Sequence, residues 1–156
     1  MNLPTATDES TPCVVLDTNV VLDWLVFNNT ACHELAARIE SGTWRWVATP
    51  AMAGELDAVL AYPALARWSP NTVHVRQRWS ALAQTVESAP LCALRCRDGD
   101  DQKFIDTAVA SRARWLFTRD RDLLVLARKA LAWGVTVRPP PPLAQTDAEA
   151  AAAFLA

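Results

Sequence analysis

Four carboxylates lie at positions in the sequence from which they could act together on one substrate. Asp17 and Asp120 follow short apolar runs, whereas Glu55 and Asp101 lie in segments with helical spacing. If these groups converge, their mutual repulsion raises their pKa values unless a cation lies among them. Oxygen ligands without His or Cys suit a hard ion such as Mg²⁺ or Mn²⁺, and such an ion supports phosphodiester hydrolysis.

Asp17 and Asp120 each have a structural alternative. In an open parallel sheet the reactive crevice lies outside the carboxyl ends of the strands, so an acid after a buried strand is well placed for chemistry. Asp is also a preferred N-cap, and either residue could simply begin the next helix. Taken one at a time, both interpretations stay open.

Glu55 lies in a predicted helix, 50–60, which Thr49 can cap and which Pro50 suits as a first residue. At helical spacing Glu55 falls at the edge of the apolar face, while Asp57 points to the opposite side. A carboxylate beside a buried stripe costs free energy unless it is paired, hydrogen-bonded or metal-bound. Glu55 is therefore a candidate functional acid, and Asp57 is expected to be solvated.

Acidic residues are also crowded at the start of a later predicted helix. The helix dipole and an Asp-Gly turn explain Asp98 and Asp100. Asp101 shares a helix face with Ile105, which directs it toward the core. Asp106 lies about 140° from Asp101 around the helix and is expected to be solvated.

The elements that would position these acids follow from the apolar pattern. Short apolar runs predict strands at 13–16, 44–48, 115–118 and 135–137. Helical spacing between and after them predicts helices at 31–40, 50–60, 71–86, 101–113 and 122–132. Strands that alternate with helices in a chain with four glycines predict an α/β fold, with a central parallel sheet covered by helices on both faces.

The composition fits one globular domain: the chain has 156 residues, of which 51% are hydrophobic and 21% charged. Polar or proline-rich ends predict a flexible segment, 1–12, a core domain, 13–138, and a Pro-rich tail, 139–156. The net charge of -2 argues weakly against a nucleic-acid partner when composition is taken alone.

Two further absences narrow the class of protein. The four cysteines lack zinc-site spacing and are expected to be structural or free thiols. No apolar run reaches the ~20 residues of a membrane helix, and the first residues do not form a secretory signal. The sequence therefore predicts a cytoplasmic protein with no membrane partner.

Four stretches of the chain together resemble the PIN-domain family, in particular the VapC-like ribonuclease toxins of bacterial toxin-antitoxin systems. They are VVLDTNVVL at 14–22, TPAMAGEL at 49–56, CRDGDDQKFI at 96–105 and FTRDRDLL at 117–124. Each is weak alone, but the four occur in family order across about 13–138. The resemblance implies a PIN-like three-layer α/β/α sandwich and a Mg²⁺- or Mn²⁺-dependent endoribonuclease.

The resemblance also assigns roles to the acids. It implies that Asp17 is the central metal ligand and that Glu55 and Asp101 are the second and third acids. Asp120 would be the fourth ligand or would bind the metal through water. Asp122 would share or replace the role of Asp120 as a metal ligand, because the family pattern allows an acid at either place.

The residues beside these acids would support them. On the resemblance, Thr18 or Asn19 orients Asp17, and Thr118 has a similar part beside Asp120. One position departs from the family pattern, because the usual Thr-Gly-Asp reads Thr-Arg-Asp here, with Arg119 in the middle. An Arg at this place either contacts RNA phosphate or pairs with neighbouring acids, Asp120 and Asp122.

Arginines near the acidic segment are candidate RNA contacts, because a planar guanidinium suits bidentate binding of phosphate. The candidates are Arg97, Arg119 and Arg121. The alternative is that they are solvated residues or ion-pair partners of the nearby Asp side chains.

The resemblance implies an RNA substrate, a cognate antitoxin protein and a homodimer as partners. A second function class stays open, in which the chain is a catalytically inactive PIN-like module that binds RNA or protein. A third class comprises metal-dependent phosphatases and phospho-receiver domains, which also place Asp after the first strand. A phosphatase of the haloacid-dehalogenase type needs Asp-x-Asp there, whereas this chain has Asn19 as the third residue.

Overall fold

The computed structural model describes residues 11–140. Most of the predicted N-terminal segment (1–10) and of the Pro-rich tail (141–156) lies outside the described residues. The strands are β1 (Cys13–Leu16), β2 (Arg45–Ala48), β3 (Ala83–Thr85), β4 (Trp115–Phe117) and β5 (Thr136–Arg138). The α-helices are α1 (Thr18–Leu25), α2 (His33–Glu40), α3 (Pro50–Leu60), α4 (Thr72–Leu82), α5 (Gln102–Ala110), α6 (Arg121–Leu124) and α7 (Ala127–Ala130). Short 3₁₀ turns cover Thr30–Cys32, Pro63–Trp68, Gly99–Asp101 and Leu131–Trp133.

The five strands form one parallel sheet in the order β3-β2-β1-β4-β5. Its two faces carry separate apolar clusters because side chains alternate along each strand. Val15 packs on one face with Phe104 of α5, whereas Val14 and Trp46 pack on the other with Leu56 of α3. The predicted α/β/α sandwich with a central parallel sheet is confirmed.

Local signals fix the ends of two elements. The Thr49 hydroxyl accepts a hydrogen bond from the Met52 N–H at 3.3 Å, and Pro50 is the first helical residue, so α3 has the predicted bounds. Gly134 adopts φ 78°, which favours glycine, and ends the last 3₁₀ turn before β5.

Three of the predicted helices are wrong in extent, and one of them, predicted over 101–113, ends at Ala110. The helix predicted over 71–86 ends at Leu82, and the next three residues form the edge strand β3, which pairs with β2. Its sequence, Ala-Gln-Thr, has no apolar run because the edge strand is largely exposed. The helix predicted over 122–132 is divided into α6, α7 and a 3₁₀ turn.

The expectation that Asp106 is solvated is also wrong. Asp106 is only 7% exposed, and its Oδ1 accepts hydrogen bonds from the Cys92 N–H (2.9 Å) and from Gln102 Nε2 (2.8 Å). Gln102 also binds the backbone of Leu94 and of Cys96, so the segment 92–96 is held against α5. This covering segment, which has no regular secondary structure, buries a helix face that periodicity assigns to solvent.

We expect Asp106→Ala to lower the free energy of unfolding by about 1–3 kcal/mol, because two donors lose their buried acceptor. Asp57→Ala is the matched control, since Asp57 is exposed and forms a surface ion pair with Arg76 at 2.8 Å. Such a pair contributes about 0–1 kcal/mol. Urea unfolding measures both, and equal losses for the two variants would contradict the assigned role of Asp106.

All four cysteines are free thiols, and Cys13, Cys32 and Cys96 are buried. Over residues 11–140, no helix combines the length and the apolar character that crossing a bilayer requires.

Candidate active site

The site begins where the two central strands end side by side. β1 and β4 are parallel neighbours, and Leu16 is in register with Phe117. The residues that follow these strands, Asp17 and Thr118, therefore lie side by side at the carboxyl edge of the sheet. The Asp17 N–H donates to the Phe117 carbonyl at 3.0 Å, which extends the ladder to this point.

Asp17 is a buried carboxylate, 3% exposed. Its Oδ2 accepts a 2.6 Å hydrogen bond from the Thr118 hydroxyl, and the backbone N–H of Asn19 also bonds it. Burial raises the pKa of Asp17, these two hydrogen bonds oppose the rise, and the charges of Asp120 and Glu55 add to it. Asp17 precedes α1, but its shortest side-chain hydrogen bond comes from Thr118 after β4, which a role as the helix cap alone does not explain.

Asp120 joins the site through Thr118. The Asp120 N–H donates to the Thr118 hydroxyl at 2.9 Å, so one hydroxyl contacts both Asp17 and the Asp120 backbone. Asp120 Oδ1 accepts from the Asp122 N–H at 2.8 Å and thereby caps α6. For Asp120 the capping interpretation is therefore correct, and it does not prevent the other carboxylate oxygen from acting in the site.

Glu55 reaches the site from the middle of α3. Its Oε2 accepts a short hydrogen bond from the Thr18 hydroxyl, and its Oε1 forms an ion pair with Lys103 of α5. Thr18 or Asn19 was expected to orient Asp17. The Thr18 hydroxyl contacts Glu55, whereas the Asn19 backbone N–H bonds Asp17. Lys103 was missed by the sequence reasoning, because nothing local connects it with a residue 48 positions earlier.

Asp101 lies at the last position of the 3₁₀ turn that leads into α5 and is partly buried. Burial, a hydrogen bond with the Asp120 side chain and the charges of Asp120 and Asp17 raise the pKa of Asp101 to about 8. Asp98, by contrast, caps the same turn by accepting from the Asp100 N–H at 3.0 Å, and both residues are exposed. Their structural interpretation is confirmed.

The four predicted acids thus act on one another at the carboxyl edge of the sheet. The charges of Asp120 and Glu55 act on Asp17, and those of Asp120 and Asp17 act on Asp101. The donor set fits a hard divalent cation, because all donors are oxygens and a cation would relieve the repulsion that raises the pKa of two carboxyl groups. In their present rotamers, no three His, Cys, Asp or Glu side chains within residues 11–140 are arranged to hold a metal ion.

The remaining candidates surround this cluster. Asp122 lies in the first turn of α6, and its backbone N–H, not its carboxylate, contacts Asp120. Asn19 is exposed, and Arg97 and Arg121 are exposed arginines close in sequence to the clustered acids. Arg119 Nε pairs with Asp23 of α1 at 2.6 Å, so its ion-pair partner is neither of the acids suggested by the sequence.

With divalent ions chelated, we expect thermal stability to fall as pH rises from about 5 to about 8.5. Asp101 keeps its proton up to about pH 8 in the folded protein but loses it near 3.8 when unfolded, so the folded state disfavours its ionisation. The raised pKa of Asp17 acts in the same direction. Asp101→Asn cannot ionise and should show a shallower fall. Melting curves in EDTA measure this, and identical pH profiles for both proteins would contradict it.

Comparison with known proteins agrees with the fold and with the sequence resemblance. A family model described as a PIN domain matches residues 13–122. Among solved structures, the chain is similar to the crystal structure of VapBC2 from Rickettsia felis bound to a DNA fragment from its promoter. That match has a TM-score of 0.53 and 11% identity, and it covers 80% of this chain and 96% of the other. The search of curated proteins gives no match.

Proposed function

Because the chain belongs to the PIN-domain family, whose members are generally nucleases that use divalent metal ions, we propose that it is a Mg²⁺- or Mn²⁺-dependent endoribonuclease. The observation that carries the proposal is the meeting of four carboxylates beside the ends of β1 and β4. Two of them, Asp17 and Asp101, have pKa values raised by burial and by neighbouring acids. A divalent cation is the natural counter-charge for such a group.

In this proposal Asp17, Glu55, Asp101 and Asp120 hold the metal, and Asp122 is an additional ligand. A bound ion would stabilise the charge on the phosphate oxygens as a Lewis acid and would lower the pKa of a water molecule. Thr118 fixes Asp17 through the 2.6 Å bond, and the Asn19 N–H supports the same carboxylate. In the overall reaction, water oxygen bonds to phosphorus, one P–O bond to the leaving ribose oxygen breaks, and that oxygen takes up a proton.

RNA contacts are proposed for Arg97, Arg119 and Arg121. The first and last of these are exposed, whereas Arg119 would contact phosphate while its Nε stays paired with Asp23. One divalent cation in the acidic cluster brings the formal charge of -2 to zero, and a second would make it +2. RNA binding should therefore strengthen when the metal is present.

We further propose that the working domain is 13–138 and that the protein is the toxin of a type II toxin-antitoxin pair in the cytoplasm. One of the solved structures similar to this chain is a VapBC toxin-antitoxin complex, which supports an antitoxin partner here. Expression alone should arrest growth, and co-expression of a small DNA-binding protein encoded beside it should relieve the arrest.

Light scattering of the purified protein tests the expected homodimer.

Incubation of the purified protein with single-stranded RNA tests the proposed activity. We expect internal cleavage with Mg²⁺ or Mn²⁺ and none in excess EDTA. Full cleavage in EDTA would contradict the metal-dependent mechanism, and no cleavage with either ion on varied RNAs would contradict the nuclease.

One observation favours a second candidate, a PIN-like module that binds RNA or protein without turnover. Glu55 is engaged by Thr18 and Lys103, and the described acids are not arranged around a metal in their present rotamers. Calorimetric titration with Mn²⁺ separates the two candidates. The nuclease requires binding, and the inactive module predicts none.

A further inference from the structure

Lys103 places a positive charge inside the acidic cluster. Its ammonium group pairs with Glu55 Oε1 and donates to the Asp100 backbone carbonyl, and it lies 4.9 Å from the centre of the Phe104 ring. The side chain is only 24% exposed. Of the five ion pairs within residues 11–140, only the Lys103–Glu55 pair includes one of the four clustered acids.

This pair uses the oxygen of Glu55 that Thr18 leaves available. Thr18 donates to Oε2 and the Lys103 ammonium group forms an ion pair with Oε1, so both oxygens of the carboxylate already have a partner. A carboxylate in this arrangement is neutralised by the chain itself. A metal that takes Glu55 as a ligand must therefore compete with the ammonium group for it.

We propose that Lys103 is a built-in competitor of the divalent cation: its ammonium group occupies Glu55, and metal binding at that carboxylate displaces it. The inference rests on the proposed function, because it takes Glu55 as a metal ligand. Lys103 would thereby set the metal concentration at which the site fills. The other ion pairs within residues 11–140 do not involve the four clustered acids.

The physical consequence is a change in metal affinity when the charge is removed. Lys103→Met keeps the apolar stem beside Phe104 and removes the ammonium group. We expect Mn²⁺ to bind about tenfold more tightly, because Glu55 no longer has to leave an ion pair whose attraction, even at the dielectric constant of water, corresponds to roughly a tenfold change in an equilibrium constant. A lysine that instead assisted metal binding would give the opposite sign.

Calorimetric titration of Mn²⁺ into the full chain tests the proposal. The chain has two lysines, and the other, Lys129, is exposed on α7, so Lys129→Met is the matched control. We expect tighter binding for Lys103→Met and an unchanged affinity for the control. Glu55→Gln provides the second test, because in that background Lys103→Met should have little further effect if it acts through Glu55.

The outcomes separate this inference from the proposed function. Mn²⁺ binding to the wild-type chain with equal or weaker binding to Lys103→Met would overturn the role of Lys103 and leave the nuclease standing. An equal gain for Lys103→Met in the wild-type and Glu55→Gln backgrounds would also overturn it. No Mn²⁺ binding by any variant would contradict the proposed metal site and the competitor together.

Discussion

Replacement of Asp17 by Asn is expected to lower RNA cleavage by about 10³-fold or more, with the fold intact. Asp17 is the most buried of the four acids and is adjacent to both central strands. The amide keeps the size of the side chain and can still accept from the Thr118 hydroxyl, but it loses the charge that a divalent cation needs. The substitution also removes the free-energy cost of burying a charge, so the free energy of unfolding should be unchanged or higher.

Single-turnover cleavage in Mn²⁺ measures the loss, and thermal melting measures the fold. Asp57→Asn is the matched control, because Asp57 is an exposed acid on α3 that pairs with Arg76 outside the cluster. We expect the control to cleave at the wild-type rate. A well-folded Asp17→Asn protein that also cleaves at that rate would remove Asp17 from the site.

Thr118→Val is expected to lower kcat by about 10- to 100-fold, the range found when a partner of a metal ligand is lost. Thr118 is fully buried, and its hydroxyl joins the Asp17 carboxylate to the Asp120 backbone. Valine has the same shape but leaves a buried carboxylate without its side-chain donor. The lost hydrogen bond had opposed the rise in the pKa of Asp17, so that pKa rises further.

A pH–rate profile distinguishes this role from simple destabilisation. The acidic limb of the Thr118→Val profile should move to higher pH, and Thr118→Ser should restore both the limb and the rate. The KM for RNA should change less than kcat, because the hydroxyl faces Asp17. If Ser is as impaired as Val, the hydroxyl is not the functional group.

The parts of the fold that carry local signals could be predicted from the sequence. β1 is a short, fully buried apolar run, and α3 begins with a capping Thr and a Pro, so both have the expected bounds. The same reasoning made Asp17 a candidate site residue, because an acid directly after a buried central strand lies at the carboxyl edge of the sheet, where ligands bind in parallel α/β folds. The order of four short stretches then indicated the family, which the match over 13–122 confirms.

The remainder depends on contacts between distant parts of the chain. β3 is a strand because β2 lies beside it, and its own three residues favour no element strongly. Asp106 is buried because a separate segment covers α5. The partners of Glu55 and Arg119 come from other elements, Lys103 and Asp23. The spacing of residues along one helix does not predict which side chains of other elements will contact it.

The central claim is that carboxylates from four separate segments bind one divalent-metal centre. Anomalous diffraction from a crystal soaked in MnCl₂ tests it most directly. We expect a manganese peak among Asp17, Glu55, Asp101 and Asp120, with at least one carboxylate oxygen about 2.0–2.3 Å from the ion. A crystal with manganese bound only elsewhere, or with none at saturating MnCl₂, would contradict a metal centre at these four acids.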